Sequence, residues 1–194
     1  MGGSTTYAAV VLAGGTAARL DGVDKAGVEH AGRTLLEHAL AATADAAETV
    51  VVGEPVPTSR PVTFTREDPP QGGPAAGLLA GVDALTGDHG SVLVLAVDMP
   101  RVGPATVARL HVAAAGHDGA FLVDGSGRRA LAGVLDAAAL SRVRPDDVHG
   151  LPLHRLLAPL RLAEVVAEGE EADDVDTWAD LRRLREGTGP TEAS

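Results

Sequence analysis

Tyr7-Ala8-Ala9-Val10-Val11-Leu12-Ala13-Gly14-Gly15 is a short apolar run that closes on an alanine and two glycines. A segment this brief, apolar throughout and punctuated by glycine, reads as a strand buried on both faces, the signature of a parallel sheet. Runs of the same kind recur at Thr49 to Val52, Val62 to Phe64, Val92 to Val97 and Ala120 to Val123, each bounded by Gly, Pro or Asp. Between them lie stretches with helical spacing at Thr34 to Ala46, Ala75 to Leu85 and Pro104 to Ala115. In the first, Leu35, Leu36, Ala39, Leu40 and Thr43 share one face while Glu37 and Asp45 turn away. Strand and helix alternate, which predicts right-handed crossovers, a mainly parallel sheet and helices on both faces. Ligands are then expected beyond the carboxyl ends of the strands.

The chain of 194 residues is the size of one domain. Hydrophobic residues make up 45% of it but aromatics only 2%, so the core must be built from Ala, Val and Leu. A net charge of -11 excludes a surface that wraps nucleic acid, because such surfaces cluster Lys and Arg against phosphates. Any phosphate is bound locally. The absence of cysteine removes disulfides, thiolate metal sites and a cysteine nucleophile, and fits a cytoplasmic location. Residues 1–6 carry no basic leader, and the apolar run at 7–15 is too short to span a membrane.

Beyond Val123 the pattern loosens. Gly125 to Arg129 reads as a turn, Leu131 to Leu135 as a short strand, and Asp136 to Val143 and Leu153 to Leu157 as short helices. Arg161 to Val166 reads as a further strand and Thr177 to Arg185 as a closing helix. The expected organisation is a flexible N-terminus at 1–6, one domain at 7–186 with an acceptor-side lobe at about 124–160, and a disordered tail at 187–194.

Four segments carry chemistry. In Leu12-Ala13-Gly14-Gly15-Thr16-Ala17-Ala18-Arg19-Leu20-Asp21-Gly22-Val23-Asp24-Lys25, adjacent glycines let backbone N–H groups approach an anion, and Arg19 and Lys25 add positive charge. This reads as a phosphate cradle, or as an ordinary strand-to-helix loop. It lacks the ending of a P-loop and the third glycine of the dinucleotide motif. Asp98, after the strand Val92 to Val97, sits where a Mg²⁺ ligand belongs, or caps the turn before Pro100. Asp176, in Asp173-Asp174-Val175-Asp176-Thr177, offers a second carboxylate or a helix N-cap, a role Thr177 could also fill. Asp68 precedes the Gly72-Gly73-Pro74 entry to the second helix, where a carboxylate can accept paired N–H donors of a ligand or simply serve the turn. Arg128 and Arg129 together suit a terminal phosphate or surface ion pairs. The seven histidines show no metal-binding spacing and are expected mostly at the surface.

The first of these segments resembles the Leu-Ala-Gly-Gly-x-Ser-x-Arg-Met-Gly-x-Asp-Lys signature of the molybdenum cofactor guanylyltransferases and related nucleotidyltransferases, with Arg19, Asp24 and Lys25 matching. Ala17 stands where the serine is usual, Asp21 where a glycine is, and the Arg19–Asp24 spacing is one residue longer. Asp98-Met99-Pro100, Gly73-Pro74-Ala75-Ala76-Gly77-Leu78 and Asp174-Val175-Asp176-Thr177 resemble later motifs of the same family, in order. The resemblance implies a three-layer, Rossmann-like nucleotide-diphospho-sugar transferase fold. It assigns Leu12, Ala13, Gly14, Gly15, Arg19, Lys25 and Gly73 to the nucleotide, Asp68 to the guanine, Asp98 and Asp176 to Mg²⁺, and Arg128 and Arg129 to the acceptor. Lys25, Arg19 and Asp98 would be the catalytic residues.

The implied reaction is transfer of GMP from GTP to the terminal phosphate of the molybdenum cofactor, releasing pyrophosphate. GTP and that cofactor are the implied partners, with molybdoenzyme-maturation proteins receiving the product. Cytidylyl relatives tend to carry Ala-Ala-Gly where this chain has Ala13-Gly14-Gly15, which favours the guanylyl branch. Cytidylyl or sugar-phosphate transfer within the superfamily, and a non-catalytic nucleotide-binding relative, are the alternatives.

Overall fold

The computed structural model describes residues 6–14 and 25–186. The expectations for Gly15, Arg19, the N-terminus at 1–5 and the tail at 187–194 lie outside the described residues. In chain order the elements are β1 (Tyr7–Leu12), a 3₁₀ turn (Lys25–Gly27), β2 (Glu29–His30), β3 (Arg33–Thr34), α1 (Leu35–Ala42), β4 (Glu48–Val52), β5 (Thr63–Thr65), α2 (Gly73–Asp83), β6 (Ser91–Ala96), α3 (Pro104–Ala114), β7 (Gly119–Val123), β8 (Arg129–Asp136), α4 (Ala137–Val143), α5 (Leu153–Leu157), β9 (Leu162–Val166) and α6 (Trp178–Glu186).

Seven strands form one sheet in the order β5-β4-β1-β6-β8-β7-β9. Every pairing is parallel except the two made by β8, so six strands run one way and β8 runs against them. Val11, Leu93, Leu95 and Leu122 face α1, α3 and α6 on one side of the sheet. Val10, Val94, Phe121 and Leu135 face α2, α4 and α5 on the other. These are the expected three layers, with an almost wholly aliphatic core.

The first helix ends at Ala42 rather than Ala46 because its last carbonyls are taken from outside. Arg60 Nη2 donates to the carbonyls of Leu40 and Thr43 at 3.3 and 2.9 Å, and the Thr43 hydroxyl turns back to Ala39 at 3.0 Å. Thr34 caps the other end, its hydroxyl accepting from Glu37 N–H.

The larger difference is β8. Residues 129–136, expected inside a loose lobe, lie between β6 and β7 in the sheet. The cause is a tight turn at 124–128. Asp124 Oδ1 accepts from the N–H groups of Ser126 and Arg128 at 2.8 and 2.9 Å, and Gly127 supplies the left-handed φ of 81°. A turn this short returns the chain antiparallel. Gly133 of β8 then lies opposite Phe121 of β7. A Cβ on Gly133 would stand 2.6 Å from the Phe121 ring, so the largest buried side chain fills the space this glycine leaves. The histidines differ too. His117, His149 and His154 are exposed, His38, His89 and His111 are half-buried, and His30 is buried. His111 packs on Tyr7 and His30 on His38, which explains their burial. No helix of the described residues is long and apolar enough to cross a membrane.

Gly133→Ala is expected to destabilise the fold by about 1–3 kcal/mol through overpacking against Phe121. In chemical denaturation the double variant with Phe121→Leu should recover part of that loss, since the two sites share one clash. A second expectation concerns acid stability. Glu48, at the start of β4, sits 2.9 Å from His89 Nε2 and accepts from Thr86 and Gly87 N–H at 2.9 and 3.0 Å. The His89 contact, against the opposing effect of burial and with help from Thr86 and Gly87, holds its carboxyl down at about 2. Its folded value lies below the unfolded one, so its stabilisation is full above about pH 4.5 and fades as pH falls toward 2. Glu48→Gln should cost on the order of 1–2 kcal/mol near neutrality, with the gap to wild type closing below pH 4 in urea titrations.

Candidate active site

All six parallel strands present their carboxyl ends at one edge of the sheet, and β8 presents its amino end there. β8 pairs with β6 as far as Leu95↔Ala132, and Arg129, the first residue of β8, lies at that same edge. That edge opens into a cleft of about 1330 Å³. Leu12, Ala13, Gly14, Lys25, Gly73 and Asp98 line it, and so do Arg128 and Arg129. The sheet topology thus gathers eight of the ten described candidates from segments far apart in sequence; Asp176 is reached through Lys25, and Asp68 lies outside the lining.

At its floor, Lys25 Nζ donates to Asp98 Oδ2 at 2.8 Å and to Asp176 Oδ1 at 2.7 Å. The three side chains are 16%, 20% and 40% exposed, so the contact is shielded without being dry. Three pieces of local structure aim them. Lys25 begins the 3₁₀ turn, whose carbonyl accepts from Val28 N–H at 3.1 Å. Asp98 lies in the turn just past β6, where Val97 N–H donates to Leu12. The strip bearing Asp176 is pinned by Val175 N–H, which donates to the Asp98 carbonyl at 2.8 Å. Burial alone would lower the Lys25 pKa, but hydrogen bonds to Asp176 and Asp98 outweigh it and raise it, so the ammonium stays charged.

The cap at the start of α6 belongs to Thr177 rather than Asp176. Thr177 Oγ accepts from Asp180 N–H at 3.1 Å, and Asp180 Oδ2 accepts from Thr177 N–H at 2.7 Å. This reciprocal pair leaves the Asp176 carboxylate turned to Lys25. Asp180 is held down at about 2, chiefly by the Thr177 hydroxyl.

Asp68 does not line the cleft. It is exposed and borders an adjoining pocket of about 360 Å³. The residue before it, Glu67, lines both cavities, with Oε1 held by Gln71 N–H at 3.1 Å. Arg128 and Arg129 also differ. Arg128 reaches Asp174 at 3.5 Å and Asp124 at 4.0 Å. Arg129 lies 5.5 Å over the Phe121 ring, and no ion pair to it is formed among the described residues.

Glu54, Arg66 and Asp174 also line the cleft and were not singled out in sequence. Glu54 and Arg66 form an ion pair across the loops that follow β4 and β5. Asp174 is pushed up by burial first and then by Asp176 and Asp98. One sequence signal was available: of the 16 basic residues fifteen are arginine, and the only lysine is Lys25. Where every other cation is a guanidinium, a lone ammonium marks a place that needs a compact point charge.

The comparisons with known proteins agree with this geometry. Residues 9–186 match the family model described as the MobA-like NTP transferase domain. The chain is similar to the molybdenum cofactor guanylyltransferase of Acidiphilium cryptum strain JF-5, 39% identical over 113 residues, covering 55% of this chain and 58% of that one. It is also similar to the molybdenum cofactor guanylyltransferase of Bradyrhizobium sp. strain ORS 278, 35% identical over 137 residues, 66% of this chain and 65% of that one. The matches thus span less than two thirds of the relatives' own length. The Rv0371c protein of Mycobacterium tuberculosis H37Rv, solved in complex with manganese, superposes with a TM-score of 0.74 at 19% identity, covering 95% of this chain and 100% of that one, and so shares the fold. With the strand order, the cleft and the family match over residues 9–186 in agreement, this chain is a member of the MobA-like NTP transferase domain family.

Proposed function

We propose that the chain transfers GMP from GTP to the terminal phosphate of the molybdenum cofactor, releasing pyrophosphate. The observation that carries this reading is the meeting of Lys25, Asp98 and Asp176 at the carboxyl edge, beside the Leu12–Gly14 backbone and the start of α2. Phosphoryl transfer needs positioning and charge more than covalent help, and these groups supply both. Backbone N–H groups of the glycine loop cradle the triphosphate. Lys25 offsets the charge that develops at the α-phosphate as an acceptor phosphate oxygen attacks in line. Arg19 joins it by the motif resemblance alone.

Asp98 and Asp176 fit a Mg²⁺ ion. Their oxygens already converge on one cationic atom at 2.7–2.8 Å, and magnesium takes one or two carboxylates with substrate phosphates and water. When bound, the ion would neutralise and align the phosphates. The manganese bound by the Mycobacterium tuberculosis protein of the same fold supports a divalent cation here.

Glu67 takes over from Asp68 as the guanine-reading carboxylate, because it lines the cleft and Asp68 does not. A carboxylate can accept both guanine N–H groups, a pairing that cytosine cannot return. At the far end, Arg129 and Arg128 face the acceptor and suit its terminal phosphate.

The test is pyrophosphate release with molybdopterin and Mg²⁺, with GTP and CTP in parallel. GTP turnover is expected, with Lys25→Met and Asp98→Asn each lowering kcat about 100-fold or more. Glu67→Gln should cut kcat/KM for GTP about tenfold or more, and Asp68→Asn should leave it nearly unchanged. Preference for CTP would overturn the base assignment, and no release with either nucleotide would overturn the reaction. The cap assignment has its own check. Thr177→Ala should cost about 1 kcal/mol of stability, whereas Asp176→Asn should lower turnover and leave the melting temperature close to wild type.

A further inference from the structure

We propose that Lys25 occupies the cation position between Asp98 and Asp176 until a nucleoside triphosphate draws it away, so that the divalent cation and the nucleotide bind as a linked pair. The inference rests on the reading of this cleft as a nucleotidyl-transfer centre. It adds an order and a coupling that the reading does not contain.

The ammonium lies 2.8 Å from one carboxylate oxygen and 2.7 Å from the other, and it comes from a different segment from either. A magnesium ion on the same two oxygens would sit about 2.0–2.1 Å from each, inside the volume the ammonium fills. The two cations therefore exclude one another. Lysine suits this task as arginine does not. It is a compact charge on a flexible four-carbon stem, whereas a guanidinium is a planar fork with fixed directions. The chain uses its single lysine at this point and arginine at all fifteen other basic positions. The other cations of the cleft stand elsewhere. Arg66 pairs with Glu54 and Arg128 with Asp124 and Asp174, while Arg129 rests over Phe121.

The backbone of Lys25 is anchored in its 3₁₀ turn, so only the side chain has to move. Gly14 lines the same cleft, and phosphates cradled there offer the ammonium a replacement anion. The same phosphates offer the incoming metal oxygen ligands. Without the nucleotide, a metal must displace Lys25 with nothing to receive it. With the nucleotide, both cations are satisfied. Linkage makes the effect reciprocal, so the metal tightens the nucleotide by the factor by which the nucleotide tightens the metal.

The experiment measures free Mn²⁺ by electron paramagnetic resonance against wild type, Lys25→Met, Arg129→Met and Asp98→Asn, each with and without the α,β-methylene analogue of GTP. Wild type should bind Mn²⁺ weakly alone and about tenfold or more tightly with the analogue. Lys25→Met should bind Mn²⁺ about tenfold more tightly than wild type without the analogue, with most of the coupling gone. Arg129→Met should resemble wild type. Lys25→Met no tighter than wild type would overturn the inference, and equal tightening by Arg129→Met would reduce it to general charge removal and overturn it as well. Asp98→Asn should lose Mn²⁺ in every condition. Unchanged binding there would overturn the metal site itself, an outcome distinct from failure of the coupling alone.

The lone lysine also gives a readout in the unaltered protein, since lysine labelled with ¹⁵N at Nζ yields one side-chain signal. Mg²⁺ alone should leave that signal in place, and Mg²⁺ with the analogue should shift it. A shift driven by Mg²⁺ alone would overturn the proposal.

Discussion

The contact on which the rest of the site depends is the ammonium of Lys25 between the carboxylates of Asp98 and Asp176, which are 73 and 151 residues away in sequence. It joins the end of the glycine loop, the turn after β6 and the strip before α6. A partly buried charge pair of this kind contributes little net stability, because desolvation offsets most of the attraction. Its value lies in what it orders. The Val175 N–H bond to Asp98 and the Arg185 bond to the Glu29 carbonyl tie the C-terminal segment to the centre and to the β2–β3 hairpin at two further points. The last twelve described residues are in this way tied to the centre beneath the cleft.

An acidic chain of the NTP transferase family must keep its cations where they are needed. Against a net charge of -11, the cleft gathers Lys25, Arg66, Arg128 and Arg129. Each lies near a carboxylate or a ring, so the cleft is close to balanced rather than strongly positive. Long-range attraction of anions is correspondingly weak, and selectivity falls to local geometry. The reversal of β8 is what makes this possible. An all-parallel sheet would send the residue before β8 to the opposite edge, whereas the antiparallel strand starts at the cleft edge and delivers two arginines to the cleft lining.

Much of this was legible in the sequence. β1 and α5 have the bounds their residues predicted, and most other elements differ by one or two positions, because buried strands and amphipathic helices are written by local periodicity. The centre of the sheet was harder. Leu131 to Leu135 reads as a strand in isolation, but its place between β6 and β7 depends on the Asp124 turn and on Gly133 opposite Phe121, which are contacts across the fold. At the site, Lys25 and Asp98 were legible because each closes a glycine loop or a strand. Asp68 borders the adjoining pocket, while its neighbour Glu67 lines the cleft as well. An acidic pair in an irregular loop carries no period to say which carboxylate turns inward, and only the path of the chain puts Glu67 in the cleft. That Asp176 does not cap α6 was likewise unreadable until Thr177 and Asp180 were seen to cap it between themselves.

The scarcity of rings links the core to the Arg128–Arg129 end of the cleft. With 2% aromatic residues, the sheet has one large buried ring, Phe121, and it is accommodated because β8 presents a glycine opposite it. Arg129 opens the same strand and lays its guanidinium 5.5 Å over that ring. A guanidinium on an aromatic face keeps its in-plane N–H groups available, whereas one held by a carboxylate gives them up. Phe121 therefore does two things at once: it fills the core between β8 and the helices beneath, and it supports an arginine that lines the cleft. Arg128, one residue earlier, takes the opposite course, spending its donors on Asp124 and Asp174 to brace the turn. Adjacent arginines that look equivalent in sequence, both lining the cleft, are thus held differently, one by carboxylates and one by a ring.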